Sequence, residues 1–246
     1  MDPLAVQAMI AAESAHPWYR ARLFFVENAL SSFETKDVKI LDFGCGSGAA
    51  LDVCKRLGFA QTLGLDVSDD CVESTKRRGI RAEKIGLEFP EVKEDFDFVI
   101  CLDVLEHLQD DIHYLSKLKD MLKENGRILV SVPAHQFLWS SHDDLNHHFR
   151  RYSRKSFMRL VNESQLKIVE IRYWNSLLFP LFVFSRILSR FSRRSISSEF
   201  NVPPKFLSEI LFFILRQEVK HKFFGRLVGL SIVATLTLKE ETISVY

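Results

Sequence analysis

Charge of one sign is the first thing this chain lacks. Its formal net charge is +1, so no global field gathers nucleic acid. Cysteine is scarce. Cys45, Cys54, Cys71 and Cys101 show neither CxxC spacing nor disulfide-scaffold density, and they are expected as reduced thiols of a cytoplasmic protein. No apolar run reaches the roughly 18 residues that span a bilayer. The opening MDPLAVQAMIAAESAHPWYR has an early acid and no basic n-region, which is not the pattern of a secretory signal. Internal repeats and low-complexity linkers are also missing. Disorder is excluded by composition, since apolar residues make up 47% of the 246. The length suits one α/β domain with an elaboration.

What is present is a regular alternation of strand and helix. Residues 1–35 read as helical. VKILDF (38–43), QTLGLDV (61–67), residues 81–85, FDFVICL (96–102) and GRILVSVP (126–133) read as strands. Helices are expected at Ser47–Leu57, from Ser68 or Asp69 to about Arg78, and at Asp110–Lys123. Such alternation implies right-handed crossovers and a mostly parallel sheet. After Pro133 comes a polar, aromatic, histidine-rich stretch (134–153), then a helix (154–163) and a strand (166–174). A Phe-rich segment (176–225) precedes a last strand within 229–239. The last two strands are expected as an antiparallel edge with the segment inserted between them.

Glycine is sparse, yet Gly44, Gly46 and Gly48 crowd into LDFGCGSGAALDVC (41–54). Bare main chain lets a ligand approach, and a strand-to-helix turn offers N–H groups to anions. GCGSGA also satisfies the dinucleotide pattern GxGxxG/A, so this turn alone fits a carboxylate or a pyrophosphate. The acid Asp42 would repel a pyrophosphate and favour a cation such as an amino group. Asp66 ends the second strand, where a carboxylate can accept both ribose hydroxyls. A ligand with an amino acid and a nucleoside but no phosphate is indicated, and S-adenosylmethionine fits. An NAD-dependent oxidoreductase and a non-catalytic S-adenosylmethionine-binding regulator are the alternatives.

LDFGCGSG, the acid of GLDVS (64–68) and FDFVICLDVLEHL (96–108) together resemble the class I S-adenosylmethionine-dependent methyltransferases in order and spacing, over roughly residues 38–133. SAHPWYRAR (14–22) and the stretch after Pro133 resemble one subgroup, whose members often have no assigned acceptor. The resemblance implies a Rossmann-like α/β fold: a mostly parallel seven-stranded sheet with an antiparallel last strand and helices on both faces. It further implies a single methyltransferase domain over 1–246, comprising an N-terminal helical cover (1–35), a cofactor-binding core (36–133), an acceptor loop (134–153) and a helical insertion (176–225). Asp42 and the main chain of Gly44, Cys45 and Gly46 would hold the methionine end. Asp66 would hold the ribose, with Val67 against the adenine and Gly86 and Leu87 at its edge. Leu102 would line the methionine, while Trp18, Tyr19 and Arg22 would cover it.

Methyl transfer from a sulfonium is an in-line displacement, so the protein mainly aligns the partners and deprotonates an O- or N-nucleophile where needed. A base is expected within 135–152, because histidine titrates near neutrality. His142, beside Asp143, is the first candidate and His148 the second. Asp103, Glu106 and His107 resemble the E-x-x-E-H arrangement of ubiquinone-pathway O-methyltransferases, but the shorter Asp103 argues against a metal, and none is expected. Arginines Arg186, Arg190, Arg193 and Arg194 among apolar residues of the insertion suggest either a lid at a membrane surface or, the preferred reading, a helical cap that packs on the sheet or forms a homodimer. The expected acceptor is a small molecule or a lipid-like, apolar one. No nucleic acid is expected, for there is no basic stripe and no NPPY-type motif.

Overall fold

Alternate residues of the central strands feed two separate cores, and this sets the architecture. In the computed structural model, which describes residues 10, 12–13, 15–86, 89, 95–184, 202–221 and 223–239, β1 (Ile40–Phe43) sends Leu41 and Phe43 to one side and Ile40 to the other. Strand β4 (Phe96–Leu102) divides Val99 and Cys101 from Phe98 and Ile100 in the same way, and β5 (Leu122–Pro133) divides Ile128, Val130 and Val132 from Leu129. Both faces are buried, as a sheet covered by helices on each side requires. Asp42 falls on the second face, so the fold buries a carboxyl among apolar neighbours.

The sheet has seven strands in the order β3-β2-β1-β4-β5-β7-β6, with β2 at Thr62–Asp66, β3 at Ala82–Lys84, β6 at Leu166–Trp174 and β7 at Ser231–Leu238. β3 to β5 pair in parallel, and β7 runs antiparallel to both β5 and β6. The expected Rossmann-like sheet with its antiparallel last strand is therefore present.

Helices α1 (Pro17–Leu30), α2 (Ala49–Arg56) and α7 (Lys205–Lys220) border the second core. α4 (Asp111–Asp120) and α6 (Arg154–Glu163) border the first. Two further helices are α3 (Asp69–Arg77) and the short α5 (Ser141–Leu145). Side-chain oxygens cap several N-termini: Ser68 accepts from the Cys71 N–H, Asp110 from the His113 N–H, and Ser153 and Ser156 form a capping box.

Several boundaries differ from the sequence reading. The N-terminal helix is broken at His16, which caps α1 by accepting from the Trp18 N–H. Strand β5 starts at Leu122, because pairing with Phe96 draws the polar KENG stretch into the sheet. Pro180 lies in the first turn of helical residues 179–184, where its missing N–H costs nothing. The arginines at 186–194 lie outside the described residues.

The insertion helix α7 is tied down firmly. Glu218, 4% exposed, accepts the Ser176 and Leu177 N–H groups at 2.8 Å each. The Trp174 indole N–H donates to the Leu215 carbonyl at 3.2 Å. Against α1 it sets Glu209 on Arg20 at 2.6 Å and Phe212 on Phe24. This much of the insertion packs as a cap, against the sheet edge and the N-terminal helix together.

Candidate active site

One cavity of about 1230 Å³ opens over the carboxyl ends of the parallel strands. Such pockets for a single small ligand run to about 300–1,000 Å³, so this one has room for a cofactor and an acceptor. Its two halves differ. Over β2 and β1 the lining is polar and glycine-rich: Gly44, Gly46, Asp66, Val67 and Gly86. Over β5, β7 and β6 it is largely apolar, with Leu178, Phe182, Leu211 and Leu215 from the insertion.

Trp18, Tyr19, Arg22, Leu102 and His148 line the same cavity, as do Asp103, Glu106 and His107, so thirteen of the residues singled out above converge there. Asp42 and Cys45 sit beneath the lining. Leu87 lies outside the described residues, and so does the side chain of His142. Val67 is apolar and 55% exposed at the rim, a surface suited to a flat ring.

The loop after β1 corrects one expectation. Four of its N–H groups turn inward. Gly44 and Cys45 both donate to the Leu65 carbonyl, at 2.8 and 3.0 Å, Gly46 donates to Asp66 Oδ2 at 2.9 Å, and Gly48 donates to the Cys45 carbonyl at 2.9 Å. These four N–H groups are spent within the fold and are not offered to a pyrophosphate. Glycine is needed for another reason: Gly44 has φ +76°, and a Cβ there would run into the Val104 side chain.

Carboxyls dominate the polar half. Burial pushes Asp42 up to about 8; Arg22 opposes the shift, and Glu13 and Asp66 add to it. Burial also raises Asp66, although N–H groups of Ser68, Gly46 and Val67 counter part of the effect. Arg22 pairs with Asp103, a residue held at φ 57°, and its guanidinium lies 5.0 Å from the Trp18 ring and 5.4 Å from the Tyr19 ring. Its buried Nε–H has no acceptor among the described residues. An excess of carboxyls, one guanidinium with a spare donor and an apolar rim suit S-adenosylmethionine, which carries two cations, one carboxylate and an adenine.

Where the halves meet stands a histidine pair. His107 and His148 pack edge to face at 4.5 Å. Asp143 is fully buried and accepts from the Arg151 Nε–H at 2.7 Å and from the Ser140 N–H at 2.9 Å. Burial alone would raise this carboxyl, but the bonds from His148 and Arg151 hold it well below the ordinary range. Being ionised, it can only accept, so His148 Nδ1, 2.9 Å away, carries the proton and Nε2 is the basic nitrogen. His107 is depressed to about 4 by burial and by the neighbouring His148. Glu106, 1% exposed, is pushed well above the carboxylate range by burial and then by Asp103, and its Oε2 has no partner among the described residues.

The acidic trio weighed for a metal is thus rearranged. Asp103 is engaged by Arg22, while Glu106, His107 and His148 each offer a ligand atom, all within 4.8 Å, and could hold a divalent ion. Glu13 and Asn175 also line the cavity, and sequence reasoning passed over both. Neither lies in a motif. A lone acid in an apolar helical stretch was the single cue to Glu13.

Residues 16–171 match the model of a methyltransferase domain family. The chain belongs to that family. Among its relatives, a ubiquinone biosynthesis O-methyltransferase of Dinoroseobacter shibae is 35% identical over 107 residues, 39% of this chain and 42% of the relative. The mitochondrial enzyme of that name from Schizosaccharomyces pombe is 33% identical over 109 residues, 41% of this chain and 39% of that one. The chain thus spans about two fifths of the length of the curated relatives it matches. Its fold is shared with an S-adenosylmethionine-dependent methyltransferase from Clostridium acetobutylicum, at TM-score 0.56 and 14% identity over 88% of this chain and 90% of that one. A TehB-like methyltransferase from Corynebacterium glutamicum superposes at TM-score 0.53 with 17% identity, covering 89% and 87%. Among the described residues no helix is long and apolar enough to cross a membrane.

Proposed function

We propose that this methyltransferase methylates a hydroxyl of an apolar small molecule, with His148 as the general base. The observation that carries this reading is the Asp143–His148 pair at the junction of a carboxyl-rich chamber and an apolar one. S-adenosylmethionine, when bound, supplies the electrophilic methyl. Asp66 holds the ribose, Val67 and Gly86 flank the adenine, and Arg22 takes the methionine carboxylate. Asp143 fixes the His148 tautomer so that Nε2 faces the acceptor proton. The partner histidine is too weak a base at about 4, because a useful base titrates near the working pH. Leu178, Phe182, Leu211 and Leu215 hold the acceptor's apolar body and exclude water. The O-methyltransferase names of the relatives support the choice of a hydroxyl.

Labelled S-adenosylmethionine and a panel of alkylated phenols and catechols test this. His148→Ala and Asp143→Asn should each lower turnover about 100- to 10,000-fold with cofactor affinity kept within about threefold. Unchanged single-turnover rates in His148→Ala would remove the base from this role.

A finer reading places the acceptor in a lipid surface. Leu181 both lines the cavity and is 66% exposed, and Phe206 and Phe213 on the outer side of α7 are 81% and 60% exposed. Residues 177–226 carry nine Lys and Arg against three Asp and Glu, in a chain of net charge +1. An apolar face with basic residues nearby suits an anionic bilayer. Sedimentation with phosphatidylserine vesicles at low salt should pull the protein down, and Phe206→Ser with Phe213→Ser should release it. Absence of binding by the unmutated protein ends this reading.

A further inference from the structure

We propose that Glu13 is a cofactor-recognition residue whose carboxylate holds the ammonium at the methionine end of the methyl donor. Three observations meet there. Glu13 is 7% exposed and lines the cavity. Its Oε2 accepts from the Ser47 hydroxyl, which belongs to the glycine-rich loop. Arg78 fixes that serine from behind, donating from Nε to its carbonyl at 2.8 Å and from Nη2 to its Oγ at 3.3 Å. A carboxylate from the segment before α1 is therefore anchored beside the loop where the cofactor's main chain must pass.

The ligand end it meets follows from the rest of the cavity. Asp66, Val67 and Gly86 claim the nucleoside, over β2 and β3, so the amino-acid end lies toward β1 and β4. There Glu13 stands within Coulombic reach of Arg22, the guanidinium with the unsatisfied Nε–H. A carboxylate and a guanidinium side by side complement the ammonium and carboxylate of an α-amino acid. Burial raises the Glu13 carboxyl in the absence of ligand, and a cation arriving beside it acts in the opposite direction. The simpler role is a latch: Glu13 holds the N-terminal segment to Ser47 and touches no ligand.

Three ligands separate the two roles. S-adenosylmethionine and S-adenosylhomocysteine have the ammonium, and 5′-methylthioadenosine lacks the whole amino-acid end. Calorimetric dissociation constants are measured for the unmutated protein, Glu13→Gln and Ser47→Ala, with melting curves to confirm folding. Recognition predicts that Glu13→Gln weakens the first two ligands about ten- to a hundredfold and methylthioadenosine less than about twofold. Ser47→Ala breaks the latch and leaves the carboxylate, and should shift all three alike, by less than about threefold. Equal weakening of all three ligands by Glu13→Gln overturns the assignment in favour of the latch, and so does weakening of none. Loss of S-adenosylmethionine binding with S-adenosylhomocysteine unaffected also overturns it, since the sulfonium would then be the group held. Failure of the unmutated protein to bind any of the three would instead refute the methyl-donor reading itself.

Discussion

Cofactor binding should release a proton, and Asp42 sets the amount. Its carboxyl is 3% exposed and pushed up to about 8, chiefly by burial. At pH 7 such a group is about nine-tenths protonated in the empty protein. Phe43 and Gly44, the next residues, line the cavity, so on the reading proposed above the cationic end of the cofactor would lie over Asp42. The field of that end favours the carboxylate, and the proton leaves. Binding at pH 7 should therefore release about 0.9 proton from Asp42, with Glu13 and Asp66 adding in the same direction because both are raised. Affinity should tighten by nearly tenfold per pH unit between 6 and 7.5, about 1.4 kcal/mol per unit, and level off above about 8. Titration calorimetry at one pH in phosphate and in Tris reads the proton count from the difference in heat. Asp42→Asn should reduce the release by about one proton and flatten the pH slope. Buffer-independent heat, or proton uptake, would refute the electrostatic account. The same group bears on stability. Its native pKa exceeds the unfolded value of 3.8, so the native state holds the extra proton and loses stability as pH rises from about 4 to about 8. Asp42→Asn should accordingly raise the melting temperature of the cofactor-free protein at pH 8.

His107 works in the opposite direction: its native pKa of about 4 lies below the usual 6.5, so stability falls as pH drops through that window, by about 3 kcal/mol. Urea midpoints from pH 7 to 4 should show this, and His107→Leu should flatten the acid limb. Gly44→Ala should cost about 1–3 kcal/mol, from a positive φ and collision with Val104, and should abolish cofactor binding; Val104→Ala in the same chain should restore part of the stability. Trp174→Ala removes a ring that is 1% exposed, packs on Trp18 at 5.5 Å and Phe25 at 5.3 Å, and bonds to α7; it should cost about 3–5 kcal/mol by denaturant melt and loosen the cover.

Elements whose pattern and punctuation agree could be read directly from the residues. FDFVICL and LKIVEIRYW are apolar enough to be strands on any register, and Ser153 marks the start of α6 unaided. Where a neighbour decides, local reading fails. The KENG stretch is polar and turn-like, yet β4 recruits its flanks through the Phe96–Leu122 pair. The glycine-rich loop was legible as a place where a ligand meets main chain. The fate of its N–H groups was not, because the acceptor for two of them is Leu65, on the next strand.

The histidines carry the same lesson further. His142 adjoins Asp143 in sequence, which made it the first candidate for an acid-oriented base. Asp143 stands in α5, and the histidine seen against its carboxylate comes from beyond that helix. His148 is five residues on, past the helix end at Leu145, where the chain turns back and its Nδ1 meets the carboxylate. The apolar insertion follows helical geometry: Leu211 and Leu215, four apart, share the side of α7 that faces the cavity, while Phe206 and Phe213, seven apart, share the opposite, outward side. Composition alone marks that whole segment as greasy. Helical phase assigns one half of α7 to the cavity and the other half to the surface.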